Sequence, residues 1–236
     1  MTTLANKHRP RKFCEVVGQK SETDVIVTML KKKWKPAAIM LQGPFGTGKT
    51  TLSRLIARAM LCDNLQHGQG EEPGSERGEP YEPCGECASC KSMDDDNHPN
   101  YIEVDAASNG RIENVREMKE MISYRSGKKI SIICYDESHG LSRDAQNALL
   151  HTLEEGNQNV LFIFATTEAN RMLPTINSRC VVLRLKLLHQ AEIKKRVIAV
   201  AEQEGLTIDP TAAGLIATYV RGHVRDAMML LEQLGS

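Results

Sequence analysis

Residues 43–50 read Gly43-Pro44-Phe45-Gly46-Thr47-Gly48-Lys49-Thr50, which fits G-x-x-x-x-G-K-[ST], a loop that wraps a phosphate. Glycines let the backbone curl with its N–H groups pointing inward, and a helix that begins at the loop adds its positive dipole end. Lys49 is then placed to reach the β- and γ-phosphates of a nucleoside triphosphate. The Thr50 hydroxyl is placed to hold Mg²⁺, with Thr51 beside it in the first helical turn. A second pair, Asp136-Glu137, closes an apolar run over 130–135. Acids at the carboxyl end of a strand lie where ligands of open α/β sheets sit. Asp136 can join Thr50 around Mg²⁺, and Glu137 can orient and polarise a water. A kinase must exclude that water, whereas an NTPase must position it.

Of the seven cysteines, Cys84, Cys87 and Cys90 form C-x₂-C-x₂-C, and Cys62 ends the helical pattern that follows the phosphate loop. In a reducing compartment such spacing favours zinc over disulfides, because short C-x₂-C turns aim two thiolates at one tetrahedral ion. For the fourth ligand the sequence offers Cys62, His67 and His98. Four protein ligands leave no open position, so the site is expected to be structural. Cys14, Cys134 and Cys180 fall outside the cluster and read as small buried apolar residues.

These residues need a scaffold, and the pattern supplies one. Apolar runs at 37–42, 101–105, 130–135, 160–165 and 181–185 read as strands. Leu52, Leu55, Ile56, Ala59 and Met60 share one helix face. Ser142 as N-cap, Asp144 in the first turn and Gly156 as C-cap mark a helix over 143–155. Strands alternating with helices predict a five-stranded parallel sheet covered on both faces. After about residue 187 only helical patterns remain, near 189–204, 210–220 and 223–234, so a nucleotide-binding unit over 1–186 is expected to be followed by a small three-helix unit over 187–236.

With 30 Lys plus Arg against 30 Asp plus Glu, the 236-residue chain has no net charge, which excludes bulk electrostatic attraction to nucleic acid or membrane. Charge is instead segregated. Residues 1–35 carry nine basic side chains and three acids, and residues 63–105 carry twelve acids against Arg77 and Lys91. The run Lys31 to Lys35 reads as a solvated face. Residues 66–83, rich in Gly, Glu and Pro, read as an exposed loop. At 41% hydrophobic and 25% charged, the chain is neither disordered nor collagenous, and no apolar run approaches the roughly 18–20 residues needed to cross a bilayer. Without a signal-peptide core in the first residues, a cytoplasmic protein with no membrane partner is expected.

Several separate motifs together resemble the ATPase subunits of sliding-clamp loaders, a branch of the AAA+ P-loop NTPases. They are Asp136-Glu137-Ser138-His139-Gly140-Leu141-Ser142, Asn147-Ala148-Leu149-Leu150, Leu153-Glu154-Glu155, Phe164-Ala165-Thr166-Thr167 and Ser178-Arg179-Cys180. The likeness extends to Asp105-Ala106-Ala107-Ser108 and to Gly222-His223-Val224-Arg225-Asp226-Ala227. An opening segment, His8-Arg9-Pro10 with Phe13 and Val16-Val17-Gly18-Gln19, is similar to the family's adenine-side segment. The resemblance implies an α/β nucleotide-binding domain followed by a three-helix lid, with ATP between them near a subunit interface. It implies Thr166 or Thr167 as the sensor-1 group, Arg225 as the sensor-2 arginine of the same subunit, and Arg179 as a finger inserted into a neighbour's site. It also implies a Cys₄ structural zinc on Cys62, Cys84, Cys87 and Cys90, within a module at about 62–93; the Cys62 to Cys84 gap is longer than the family's.

As implied partners the family gives other loader subunits in a ring, the sliding clamp and primer-template DNA. Candidate phosphate-backbone contacts are Arg111, Ser142 and Arg143, which position without reading sequence. The family continues into a helical collar, whereas this chain ends at Ser236, so the isolated chain is expected to be largely monomeric. A nucleoside monophosphate kinase with a Cys₄ lid is disfavoured, because there the phosphate loop normally opens the chain and here 42 residues precede it. A nucleotide-binding scaffold with little turnover is disfavoured by the intact Lys49, Thr50, Asp136 and Glu137.

Overall fold

The computed structural model describes residues 3–65, 81–124, 130–155 and 159–235. The expectations for residues 66–80, His67 and Gly156 lie outside these described residues. Five strands, β1 (Ala38–Gln42), β2 (Tyr101–Asp105), β3 (Ser131–Asp136), β4 (Val160–Thr166) and β5 (Cys180–Arg184), form one parallel sheet in the order β2-β3-β4-β1-β5. The helices are α1 (Leu4–Lys7), α2 (Lys20–Lys31), α3 (Lys49–Leu61), α4 (Ala88–Asp94), α5 (Ala106–Asn109), α6 (Ile112–Tyr124), α7 (Arg143–Glu155), α8 (Pro174–Asn177), α9 (Gln190–Gln203), α10 (Pro210–Tyr219) and α11 (Val224–Leu234). Each expected strand is present to within a residue or so of its bounds, and α7 spans 143–155 as its capping pattern predicts. The Ser142 hydroxyl accepts the Ala145 N–H at 3.2 Å.

Period-two alternation explains how the strands are buried on both faces. Ile39, Leu41, Ile132, Cys134, Leu161, Ile163 and Ala165 point to one side, where they pack against Leu52, Leu55, Ile56 and Ala59 of α3. Ala38, Met40, Ile133, Tyr135, Phe162 and Phe164 point to the other, against Val115 of α6 and Ala145, Leu149 and Leu153 of α7. Each large apolar side chain so buried contributes about 1.5–3 kcal/mol. A third cluster joins Ile193, Val197, Val200, Ala213, Ile216, Ala217, Ala227, Met228 and Leu231 of α9 to α11 with Leu4 and Leu188.

This core fixes the site, because parallel register brings the strand ends to one edge. Gln42 pairs with both Thr166 and Arg184, and Asp105 pairs with Asp136. The end of β1 leads into the phosphate loop, so the loop, Asp136 and Thr166 share that edge.

Two sequence expectations fail. Of the three cysteines expected buried, Cys134 is buried but Cys180 is half-buried and Cys14 exposed; Cys14 sits in a short 3-10 turn, Phe13–Glu15, that turns inward only Phe13. Glu82 and Pro83, the end of the stretch expected to be a solvated loop, are buried, because the Glu82 carboxylate is occupied by backbone N–H groups of that same turn. Among the described residues no helix is long and apolar enough to cross a membrane.

Candidate nucleotide site and cysteine cluster

Between β1 and α3 the loop turns through Gly46 (φ 73°) and Gly48 (φ 95°), left-handed conformations that side chains with a Cβ resist. Gly48 is the N-cap of α3, so the first free N–H groups of a 13-residue helix open into the loop. Lys49 is buried, and its ammonium donates to the carbonyls of Gly43 (2.9 Å) and Pro44 (3.0 Å). Burial lowers its pKa, with Glu137 and Asp136 opposing the shift. The Thr50 hydroxyl donates to Asp136 Oδ2 at 2.7 Å, so the two expected Mg²⁺ ligands already touch. Two oxygen donors at this separation suit a hard octahedral cation that keeps most of its waters.

Glu137 occupies a left-handed conformation (φ 45°), an uncommon and strained one for a residue other than glycine or asparagine. Its backbone N–H donates to Asp136 Oδ1 at 3.0 Å, and its carboxylate accepts from Thr167 Oγ1 at 3.3 Å. His139, which sequence reasoning did not single out, bridges the group. Its Nδ1 lies 3.2 Å from Thr166 Oγ1 and 3.4 Å from Glu137 Oε2, while Nε2 lies 3.5 Å from Glu168 Oε1. Thr166 is fully buried and Thr167 exposed; both reach the site through Glu137 and His139.

A cavity of about 260 Å³ adjoins the loop. Phe45 to Leu52, Asp136 and Glu137 form its phosphate end, and Arg9, Pro10, Val16 and Val17 line it from the opening segment. Gly18, Gly43 and Pro44, also expected at the nucleotide, are not among the lining residues. From the C-terminal helices come Arg196, Arg225 and Met228. The Arg225 guanidinium lies 5.8 Å from the Phe45 ring centroid, and His223 Nδ1 lies 2.7 Å from the Phe45 carbonyl oxygen. Arg196 donates to the His8 carbonyl at 2.6 Å, and burial lowers its pKa. No role for Arg196 or His223 was legible beforehand, since each meets a partner well over a hundred residues away. Arg179 lies outside the cavity, exposed, donating to Glu154 Oε1 (2.7 Å) and to the Thr175 carbonyl (2.9 Å). The backbone bond from Ser142 N–H to the Gly110 carbonyl, 2.8 Å, sets Arg111 next to Ser142 and Arg143, all three exposed.

The four thiols of Cys62, Cys84, Cys87 and Cys90 all lie within 4.8 Å of one another. Measured pairs are Cys62 to Cys84 at 3.5 Å, Cys84 to Cys90 at 3.9 Å and Cys62 to Cys87 at 4.0 Å. A tetrahedral zinc with Zn–S bonds of about 2.3 Å needs sulfurs about 3.8 Å apart, so the residues fit the ion. Backbone N–H groups of Cys84, Cys87 and Cys90 each donate to the preceding sulfur of the set at 3.4 Å, the outer support such ligands require. Burial opposes ionisation at Cys84, but N–H groups of Cys87 and Glu86 outweigh it and bring the thiol down to about 6. Burial pushes the Cys62 and Cys90 thiols up. His98 is buried, stands outside the cluster and accepts the Asn100 N–H at 3.1 Å.

A five-stranded parallel sheet with this loop before α3, paired acids at the end of β3 and a C-terminal three-helix cluster whose α9 and α11 line the cavity defines a P-loop NTPase fold of the AAA+ type. Over most of its length, residues 18–189, the chain matches the family model for the DNA polymerase III delta subunit, and it belongs to that family. It is 34% identical over 231 residues to the DNA polymerase III subunit tau/gamma of Haemophilus influenzae, covering 98% of this chain and 32% of that protein. It is 35% identical over 230 residues to the DNA polymerase III subunit gamma of Buchnera aphidicola subsp. Schizaphis graminum, covering 97% of this chain and 60% of that protein. The chain thus spans less than two thirds of these relatives. Among solved structures, the Thermotoga maritima RuvB Holliday junction branch migration motor superposes with a TM-score of 0.69 at 18% identity, over 96% of this chain and 64% of that one; this likeness concerns the fold alone.

Proposed function

We propose that the chain is the ATP-hydrolysing motor portion of a sliding-clamp loader, acting in DNA replication. The observation that carries this reading is the direct Thr50 to Asp136 contact, 2.7 Å, at the mouth of the phosphate loop with Glu137 next to it. A bound Mg²⁺ supplies charge neutralisation on the β- and γ-phosphates. Lys49 leaves its two loop carbonyls to contact phosphate oxygens, and Thr50 and Asp136 hold the cation. Glu137 orients the attacking water and takes its proton, while His139 and Thr167 hold the carboxylate in place. Thr166 and Thr167 serve as the sensor-1 pair and Arg225 as the sensor-2 group. Arg9, Pro10, Val17 and Gly18 form the base side.

Arg179 is read as the finger for an adjoining subunit. Its exposure and its absence from the lining of its own cavity support that reading, since a guanidinium that acts in trans belongs on an outer surface. Such fingers contribute on the order of 10³–10⁵ in rate, which makes hydrolysis conditional on assembly. In this reading residues 1–186 form the nucleotide-binding unit, with a zinc module at about 62–93, and residues 187–236 form the lid. Arg111, Ser142 and Arg143 follow the backbone of primer-template DNA, and the protein works in the cytoplasm. The test is phosphate release from ATP by the chain combined with partner loader subunits. Stimulation by primed DNA with clamp supports the reading; phosphate transfer to AMP, or tight ATP binding with no release, overturns it.

A further inference from the structure

The cysteine module has no part in the chemistry proposed above, yet it is tied to the wall of the nucleotide cavity. Glu82, two residues before Cys84, is buried, and its carboxylate accepts two backbone N–H groups of the opening segment, from Phe13 at 2.6 Å and from Cys14 at 2.9 Å. Three residues further on, Val16 and Val17 line the cavity. A second link joins Arg11 Nε to Asp94 at 3.6 Å, and Asp94, at the end of α4, also pairs with Arg58 of α3. Because Cys90 lies in α4 and Cys62 follows α3, the four sulfurs bind together the elements that hold both links.

We propose that Glu82 is a positioning residue that fastens the opening segment of the nucleotide cavity to the cysteine module, so that metal on the four thiols sets affinity for the base side of the nucleotide. The physical reason is the buried carboxylate. Its hydrogen bonds to N–H groups are charge-assisted and roughly twice as strong as neutral ones, and they tie to the cysteine module a turn whose other anchors are the buried Phe13 ring and the local bonds from the Arg11 and Lys12 N–H groups to Glu15. Without them the segment samples more conformations, and apparent affinity falls in proportion to the fraction that remains binding-competent. Phosphate-side binding is untouched, since the loop at residues 43–50 is braced by the sheet. The proposal rests on the reading that this cavity takes ATP, with the opening segment against the base.

The experiment titrates the full chain with ATP and, separately, with inorganic tripolyphosphate, which probes the loop without a base. Glu82→Gln, nearly isosteric, is expected to weaken ATP about tenfold, one lost charge-assisted contact, while leaving tripolyphosphate affinity and bound zinc at wild-type levels. Glu82→Asp, which keeps the charge but not the reach, is expected to act in the same direction. Zinc-stripped wild-type chain is expected to show the same selective loss, restored by added Zn²⁺. Unchanged ATP affinity in both variants overturns the proposal, as does equal loss for ATP and tripolyphosphate. Failure of wild-type chain to bind either probe would refute the nucleotide-site reading itself, a result distinct from both.

Discussion

Replacing Lys49 by Met separates what this side chain does for folding from what it does for binding. The ammonium is buried, and among the described residues it donates to the Gly43 and Pro44 carbonyls at 2.9 and 3.0 Å. Burial lowers its pKa from the usual 10.5, so the folded chain favours the charged form less than water does, and the charge costs stability. Methionine keeps the apolar stem and leaves two carbonyls at the cavity, where water can reach them. The unliganded variant should therefore melt higher than wild type near neutral pH. That advantage is full below the lowered lysine pKa, shrinks as pH rises through it, and is gone above 10.5, where the lysine is neutral in both states. Binding moves the other way. Loss of two charge-assisted hydrogen bonds to phosphate, each worth about 1.5–3 kcal/mol, removes about 3–6 kcal/mol, or roughly 10²–10⁴-fold in Kd. Scanning calorimetry across pH and titration with ATP measure both. A variant that binds ATP within about threefold of wild type, or that melts lower at neutral pH, would show the reasoning to be wrong.

Glu137→Gln should leave ATP affinity within a few-fold of wild type and slow hydrolysis by about 10²–10⁴, the worth of a general base; single-turnover kinetics with a binding titration will show it, and equal loss of both contradicts the assigned role. Arg179→Ala breaks an exposed pair with Glu154 and should cost less than about 1 kcal/mol of stability, leave the chain's own nucleotide affinity intact, and slow turnover only when mixed with partner subunits. Zinc removal should release residues 62–65 and 81–93 first in hydrogen exchange, since structural zinc supplies on the order of 10 kcal/mol in small sites; uniform loss of protection across the sheet would argue against a separate module. Binding to primed DNA should weaken steeply with salt, by about one unit of log–log slope per phosphate contacted, and Arg111→Ala should lower that slope; a flat salt response contradicts the backbone contacts.

The strands were legible because both faces are buried, which turns them into short apolar runs such as Val160–Thr166 that few other environments produce. The phosphate loop was legible because its chemistry lies in eight consecutive residues. By contrast, α2 and α6 were not singled out: their apolar positions are thinned by Lys, Glu and Thr, and packing against the sheet, not local propensity, decides them. His139, Arg196, His223 and Glu82 were given no role for a different reason. Each acts through a partner that only the fold brings near, as with His223 at the Phe45 carbonyl and Glu82 at Phe13, and a lone histidine or glutamate carries no spacing signal. Cys14 misled because cysteine is buried more often than not, whereas its 3-10 turn turns only Phe13 inward.

The two arginines given catalytic roles in the proposed function share a physical state that bears on how hydrolysis would be controlled. Arg225 rests against the Phe45 ring and Arg179 against Glu154, and both are exposed. An exposed cation–π contact contributes about 0.5–1 kcal/mol and an exposed ion pair about 0–1 kcal/mol. A charge-assisted hydrogen bond to phosphate in a desolvated site contributes about 1.5–3 kcal/mol. The exchange therefore favours phosphate in each case, by about 1–2 kcal/mol, or roughly five- to thirtyfold in population. On the proposed function, Arg225 makes that exchange within its own chain, since it lines the same cavity as the loop. Arg179 cannot, since its own cavity lies elsewhere, and it gains only when a second nucleotide site is set against β5. On the proposed function, nucleotide binding is therefore expected to close one chain by itself, with the remaining barrier to hydrolysis falling only on assembly.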